Sequence, residues 1–259
     1  MIVKNVKFIN NKVEIVLDEK SFFVSKENYI ENPIAIDSDI NEDRINELLD
    51  YESFIENKVY LIKLLNKKAL SEYEVYLKLK EREVKKQYIK EIIDSLKRAG
   101  LINDEFVALI NLESSLIKRY GKRKIRKVLN EKRISAEIID KILKEIDEDL
   151  YNDNFNKMVE KYMKMYDRKS FKMKQMMIKQ KLEELGYEDE LISKLSVSNN
   201  KEKELDLAIN FLLKIIKNKN IDFDDCQNVN KIKSKLVMKG FSYDIINLAI
   251  EEVKRNETY

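Results

Sequence analysis

From Ile232 to Ile250 the apolar residues step by four, five, four, one, three and one: Ile232, Leu236, Phe241, Ile245, Ile246, Ala249 and Ile250. The same skeleton occurs upstream. Val75, Leu79, Val84, Tyr88, Ile89, Ile92 and Ile93 match every place, as do Ile125, Leu129, Ile134, Ile138, Ile139, Ile142 and Leu143. A further copy runs Ile178, Leu182, Tyr187, Leu191, Ile192 and Leu195, failing only at Ser196. Starts are 50, 53 and 54 residues apart, the mark of a repeat architecture. Within a copy, the first two positions share one face of a helix, and the last four form the stripe of a second. Between them lies a tight turn, with Gly186 and Gly240 where a left-handed C-cap belongs. Glu83 and Arg133 hold that place in the first two copies, where a left-handed backbone costs about 1 kcal/mol more than with glycine. A different turn geometry is therefore expected there.

Another apolar-periodic segment precedes each copy: Val59–Leu65, Phe106–Ile117, Phe155–Met165 and Leu205–Ile216. Each unit then has three helices in about fifty residues, too few to bury a large core alone, and stacking of neighbours supplies the rest. The predicted fold is mainly α: tandem three-helix, helix-turn-helix-like repeats forming an elongated curved array. Its divisions are 51–102, 103–150, 151–200 and 201–259. "NDEF" at Asn103 and "NDNF" at Asn152 both place a capping residue at a helix start, and Ser71 with Glu74 fits a capping box. Residues 1–50 differ. Val13, Ile15 and Leu17 alternate, "SFFVS" is β-prone, and a small antiparallel β element followed by a short helix, Asp39 to Leu49, is expected. This segment has 6 basic and 11 acidic residues, whereas the remainder has 44 and 36.

Composition narrows the chemistry. Four glycines, one proline, 44% hydrophobic and 37% charged residues suit amphipathic helices. The longest apolar run, Phe106–Ile110, is far too short to span a bilayer, and the first residues carry no signal-peptide pattern, so a cytoplasmic protein without membrane association is expected. Histidine is absent, Cys226 is the single cysteine, and no phosphate-binding glycine loop occurs. Asp222, Asp224 and Asp225 lack the glycine and distal glutamate of a calcium loop. A protein that is not an enzyme, with no cofactor and no metal, is the stronger expectation.

At these residues the chain resembles a known family. "KLVMKGFSYDIINLAI" is similar to the C-terminal Lys/Arg-Gly-Phe-Ser signature of the RecX regulators of the RecA recombinase. "ALSEYEVYLKL", "LINDEFVA" and "GKRKIRKVLNEKRIS" resemble three internal segments of that family, and "VLDEKSFFVSKE" the N-terminal strand pair of its longer Gram-positive type. Ala69 and Leu70 stand where the family has arginines, and Arg133 where it has glycine. The resemblance implies three-helix units lying in the groove of the RecA–single-stranded-DNA filament. There they restrain strand exchange, ATP turnover and co-protease action in DNA repair. It also implies non-specific contact with single-stranded DNA, or with duplex, by a monomer.

Two basic stretches are candidates for that contact. Lys118 to Arg133 holds nine basic residues against Glu131. On a helical projection Ile125, Val128 and Leu129 face inward, while Arg123, Arg126 and Lys127 face out, beside Lys122 and Lys124. Arg123 and Lys127 are like charges four apart, which costs a helix a few tenths of a kcal/mol. The second stretch, Lys161 to Lys181, offers Lys164, Arg168, Lys169, Lys172 and Lys174 against Asp167, amid six of the eight methionines. The patches would meet DNA phosphates or an acidic protein surface. The plainer reading is a solvated face, with Met158 to Met177 and the interleaved Tyr120, Tyr162, Tyr166 and Phe171 as core. Two other functions stay open: a stand-alone DNA-binding protein of helix-turn-helix type, and a helical scaffold for another partner.

Overall fold

The computed structural model describes residues 1–195, 200–217 and 225–257. Three strands come first, β1 (Val3–Ile9), β2 (Lys12–Leu17) and β3 (Ser21–Ser25), then a short helix α1 (Lys26–Glu31). Three helices follow in each repeat. The first two sets are α2 (Glu42–Leu65), α3 (Glu72–Glu81), α4 (Lys86–Arg98) and α5 (Asp104–Ile117), α6 (Lys122–Glu131), α7 (Ala136–Lys144). The last two are α8 (Glu148–Met165), α9 (Phe171–Glu184), α10 (Asp189–Ser193) and α11 (Lys201–Lys217), α12 (Cys226–Met238), α13 (Tyr243–Glu257). The fold is therefore mainly helical, with tandem three-helix repeats behind a small antiparallel sheet. The chain divides into two compact units, Met1–Ile110 with Leu129–Asp140, and Asn111–Val128 with Lys141–Tyr259. No helix among the described residues is long and apolar enough to cross a membrane.

In the first unit the sheet has the order β1-β2-β3, with Val13 opposite Val24 and Ile15 opposite Phe22. The alternation of Val13, Ile15 and Leu17 turns all three inward, against Ile40, Ile45 and Leu48. Glu52 of α2 fixes the third strand. Its buried carboxylate accepts the Ser25 N–H at 2.7 Å, the Ser25 hydroxyl at 2.9 Å and the Asn28 amide at 3.1 Å. Instead of a short helix ending at Leu49 and a separate one from Val59, α2 is continuous for 24 residues. No glycine or proline lies between Pro33 and Gly100 to stop it. Its first turns pack on the sheet through Ile45 and Leu48; its later ones carry Phe54, Ile55 and Leu61 into the core with Val75, Leu79, Ile92 and Leu96. Each such fully buried aliphatic side chain contributes about 1.5–3 kcal/mol. In the second unit Ile232, Leu236, Ile245, Ile246 and Ala249 form the equivalent core with Ala208 and Leu212 of α11.

Caps follow the sequence with one exception. Ser71 and Glu74 form the reciprocal capping box, at 3.2 and 3.0 Å, and Asn103 accepts the Phe106 N–H at 3.0 Å. Asn152, however, caps nothing. Helix α8 starts five residues earlier, where Asp147 accepts the Leu150 N–H at 2.9 Å with Glu148 and Asp149 in the first turn.

The four turns between the middle and last helices share one geometry, contrary to the expectation for the first two copies. Glu83 and Arg133 both adopt φ 57°, beside 84° at Gly186 and Gly240. In each turn that residue's N–H bonds the carbonyl three before it (Lys80, Asn130, Glu183, Val237). The next N–H bonds the carbonyl five before (Leu79, Leu129, Leu182, Leu236), at 3.1–3.3 Å. The following side chain, Val84, Ile134, Tyr187 or Phe241, is buried. Two hydrogen bonds and a buried apolar residue outweigh a strain of about 1–2 kcal/mol.

The middle helices α3, α6 and α9 each begin on the turn of the next repeat. In the first unit the Ser71 hydroxyl donates to the Lys132 carbonyl at 3.0 Å, and the Glu72 N–H to Asp104 at 2.8 Å. In the second unit the Gly121 N–H donates to the Leu185 carbonyl at 2.8 Å, and the Lys122 N–H to the Tyr151 hydroxyl at 2.9 Å. There too the Ser170 hydroxyl donates to the Lys239 carbonyl at 2.6 Å, and the Phe171 N–H to Glu204 at 3.3 Å. Lys132, Leu185 and Lys239 occupy the same place in successive copies. The approach is close: a Cβ on Gly121 would lie 2.2 Å from the Gly186 carbonyl oxygen, and one on Gly186 2.3 Å from the Lys124 nitrogen. In the first joint Arg133 keeps its side chain, with the guanidinium 5.7 Å from the Tyr73 ring centre.

Three stability outcomes follow. Glu83→Gly relieves the left-handed strain without loss of a side-chain contact at the joint and is expected to raise unfolding free energy by up to about 1 kcal/mol. Gly186→Ala meets backbone and is expected to cost about 2 kcal/mol or more, whereas Gly100→Ala, at φ 71° with open space around it, costs only about 1. Urea titrations followed by circular dichroism measure all three.

A pH dependence comes from Glu74. Burial pushes its carboxyl up, but hydrogen bonds from Lys132 Nζ, at 2.7 Å, and from the Ser71 N–H outweigh this and hold it below the ordinary value. A carboxyl depressed on folding contributes stability above its unfolded value, about 4.3, and loses it as pH falls through the folded one. Glu74→Gln is therefore expected to lower Tm near pH 7, with the difference from the parent chain shrinking below about pH 4 in a series of thermal melts.

Candidate functional site

The basic face of α6 is held by its first turn. Tyr151 of α8 accepts the Lys122 N–H and donates its own hydroxyl proton to Glu188 at 2.6 Å. Burial, then the Glu188 hydrogen bond, push the Tyr151 phenol far above its ordinary value, so it stays a neutral donor. Burial likewise pushes Tyr187 up to about 12, and its hydroxyl caps the Arg119 carbonyl at 3.0 Å. Onto this frame three of the five sequence candidates are folded back. Lys122 pairs with Glu148 at 2.5 Å, and Arg123 grips both oxygens of Asp189 at 2.8 and 2.7 Å. Lys124 reaches the Glu184 carbonyl at 3.4 Å and lies 4.1 Å from the Tyr120 ring centre. The Asp189 hydrogen bond raises Arg123 and in turn lowers Asp189. Arg126 and Lys127 are exposed, as the helical projection places them. Lys127 has no ion pair among the described residues.

In the second stretch Lys164, Arg168, Lys169 and Lys172 are exposed and free of ion pairs among the described residues. Lys174 is half-buried, with its ammonium 3.6 Å from Asp167. The methionines divide. Met158 is core, Met163, Met173 and Met177 are half-buried, and Met165 and Met176 stand more than half exposed beside these cations. Tyr162 and Tyr166 are core residues, stacked at 6.2 Å, so neither ring is open to a base. Tyr120 and Phe171 are half-buried.

No protein-family model matches the chain. Curated relatives match nearly all of it. Regulatory protein RecX of Lactococcus lactis subsp. cremoris is 28% identical over 244 residues, 91% of each chain. That of Listeria welshimeri is 28% identical over 246 residues, 93% of this chain and 91% of its own. These matches support a RecX likeness over more than nine-tenths of the chain. A RecX of Clostridium beijerinckii is 31% identical over 139 residues, 53% of this chain and 65% of its own. Among solved structures, a regulatory protein RecX superposes with TM-score 0.64 at 18% identity over 74% of this chain and 97% of its own, which shows a shared fold. RecX from Lactobacillus salivarius superposes with TM-score 0.52 at 25% identity, over 55% and 94%.

The basic residues of this chain thus fall into two groups. Lys122, Arg123, Lys124 and Lys174 serve internal contacts, whereas Lys127, Lys164, Arg168, Lys169 and Lys172 are exposed cations. Sequence reasoning missed Asp189, Glu148 and Lys203, the partners that decide the division. They lie 26 to 66 residues from Lys122, Arg123 and Asp167, and no local pattern links them. Asp222, Asp224 and Ser196 lie outside the described residues. No group of three or more His, Cys, Asp or Glu side chains that could hold a metal occurs among the described residues, and Cys226 is exposed at the start of α12.

Removing the Tyr151 hydroxyl tests the frame. Tyr151→Phe leaves the Lys122 N–H and the Glu188 carboxylate without this partner, and is expected to lower unfolding free energy by about 1–3 kcal/mol in urea titrations. Protection of the α6 amides in hydrogen exchange is expected to fall with it.

Proposed function

We propose that this chain regulates a RecA recombinase by binding the RecA–single-stranded-DNA filament and restraining its strand exchange, ATP turnover and co-protease action, with no catalysis of its own. The observation that carries this reading is the match of more than nine-tenths of the chain to proteins named regulatory protein RecX. The exposed cations on α6, α8 and α9 support it: a filament presents phosphates, and lysines free of internal carboxylates attract them without reading sequence. The end of α13, with Glu251 and Glu252, does not favour insertion into a major groove.

Purified protein added to a RecA–single-stranded-DNA ATPase assay is expected to inhibit turnover at or below one protein per recombinase monomer. No inhibition at that ratio overturns the proposal. Lys127→Glu with Lys172→Glu is expected to weaken filament binding at least tenfold at low salt and to flatten its salt dependence, with helix content unchanged. Tight, sequence-specific duplex binding at physiological salt would instead favour a stand-alone DNA-binding protein.

A further inference from the structure

Asp167 sits in the connection between α8 and α9, in the second unit. Its carboxylate takes Lys203 Nζ on both oxygens, at 2.7 and 2.8 Å, and Lys174 Nζ at 3.6 Å. All three side chains line one cavity of about 290 Å³, with Lys169 and Asn200 beside them. Lys169 has no ion pair among the described residues. The other carboxylate of the cavity, Glu204, is buried and committed to the joint, where it accepts the Phe171 N–H at 3.3 Å. Two ammonium groups therefore meet a single half-exposed carboxylate, and a third lysine, Lys169, lines the same cavity without an ion pair.

We propose that this cavity is a phosphate subsite for the backbone of single-stranded DNA, in which Asp167 occupies the anion position until a phosphodiester displaces it. The exchange is cheap on the protein side. The Lys203–Asp167 pair is 51% and 50% exposed, and such pairs contribute little to stability. On the DNA side each neutralised phosphate releases counterions, which favours the exchange at low salt. The volume exceeds several waters at about 30 Å³ each, so a phosphate enters with part of its hydration. Lysines hold it as point charges, so the subsite positions the strand and reads no base. The proposal rests on the reading of the basic stretches as nucleic-acid contacts and adds Lys203 and a resident competitor, Asp167, to them.

The test is fluorescence anisotropy of a labelled oligo(dT) titrated with the full chain at several salt concentrations, with no recombinase present. Asp153→Asn is the control, since Asp153 pairs with Lys157 at 2.6 Å outside the cavity and the net-charge change is the same. Asp167→Asn is expected to tighten binding at least threefold more than Asp153→Asn and to steepen the log–log salt slope by about 0.7. Lys169→Ala or Lys203→Ala added to Asp167→Asn is expected to cancel the gain. Equal effects of the two Asn variants, a gain that survives the lysine changes, or no oligo(dT) binding by any variant overturns the subsite. A gain for the recombinase filament without one for oligo(dT) assigns the lysines to a protein surface and overturns it as well. The ATPase assay is read separately. A chain that shows the oligo(dT) gain yet never inhibits the recombinase ends the regulatory reading and leaves the subsite standing.

Discussion

The first amides of an α-helix have no partner inside the helix, and the middle helices α3, α6 and α9 find partners at their starts on the repeat that follows. Ser71, Gly121 and Ser170 each meet the carbonyl at the same place in the next turn, and the neighbouring amide is taken by Asp104, Tyr151 or Glu204. One repeat thus completes the hydrogen bonding of the one before. Such a joint is stricter than apolar stacking, because a buried donor left unpaired costs about 1–3 kcal/mol. It also fixes spacing: the Gly121–Gly186 approach admits no Cβ on either side.

That strictness has an electrostatic consequence. A helix start that must touch a neighbouring turn brings its first side chains beside that neighbour's acidic residues. Arg123 therefore meets Asp189, and Lys122 meets Glu148. The like-charge crowding of α6 is relieved by in-chain carboxylates rather than left for a partner. Other cations have no ion pair among the described residues: Lys127 in the second turn of α6, and Lys164, Arg168, Lys169 and Lys172 around the α8–α9 connection. Whether a carboxylate lies within reach, more than local charge density, separates the paired cations from the exposed ones.

The first unit shows the same economy of elements. A single helix, α2, packs on the sheet with its first turns and builds the first repeat with its last. The buried Glu52 anchors the strand end to that helix through three donors, so a carboxylate that looks surface-like in sequence is a structural group.

What the sequence by itself determined is the local order: helix class, the four turn positions, the Ser71–Glu74 box, and the inward phase of Val13, Ile15 and Leu17. Each depends on residues a few places apart, and periods of 3.6 and 2 record that directly. The RecX resemblance was also legible, in the order of its segments. Tertiary structure alone decided the rest. It put Glu83 and Arg133 into a left-handed turn that their own preferences oppose, because two hydrogen bonds and a buried Val84 or Ile134 outweigh the strain. It moved the α8 cap from Asn152 to Asp147, and it chose which lysines are free. The last choice turns on partners as many as 66 residues away, and a one-dimensional pattern carries no record of which distant residue a side chain will meet.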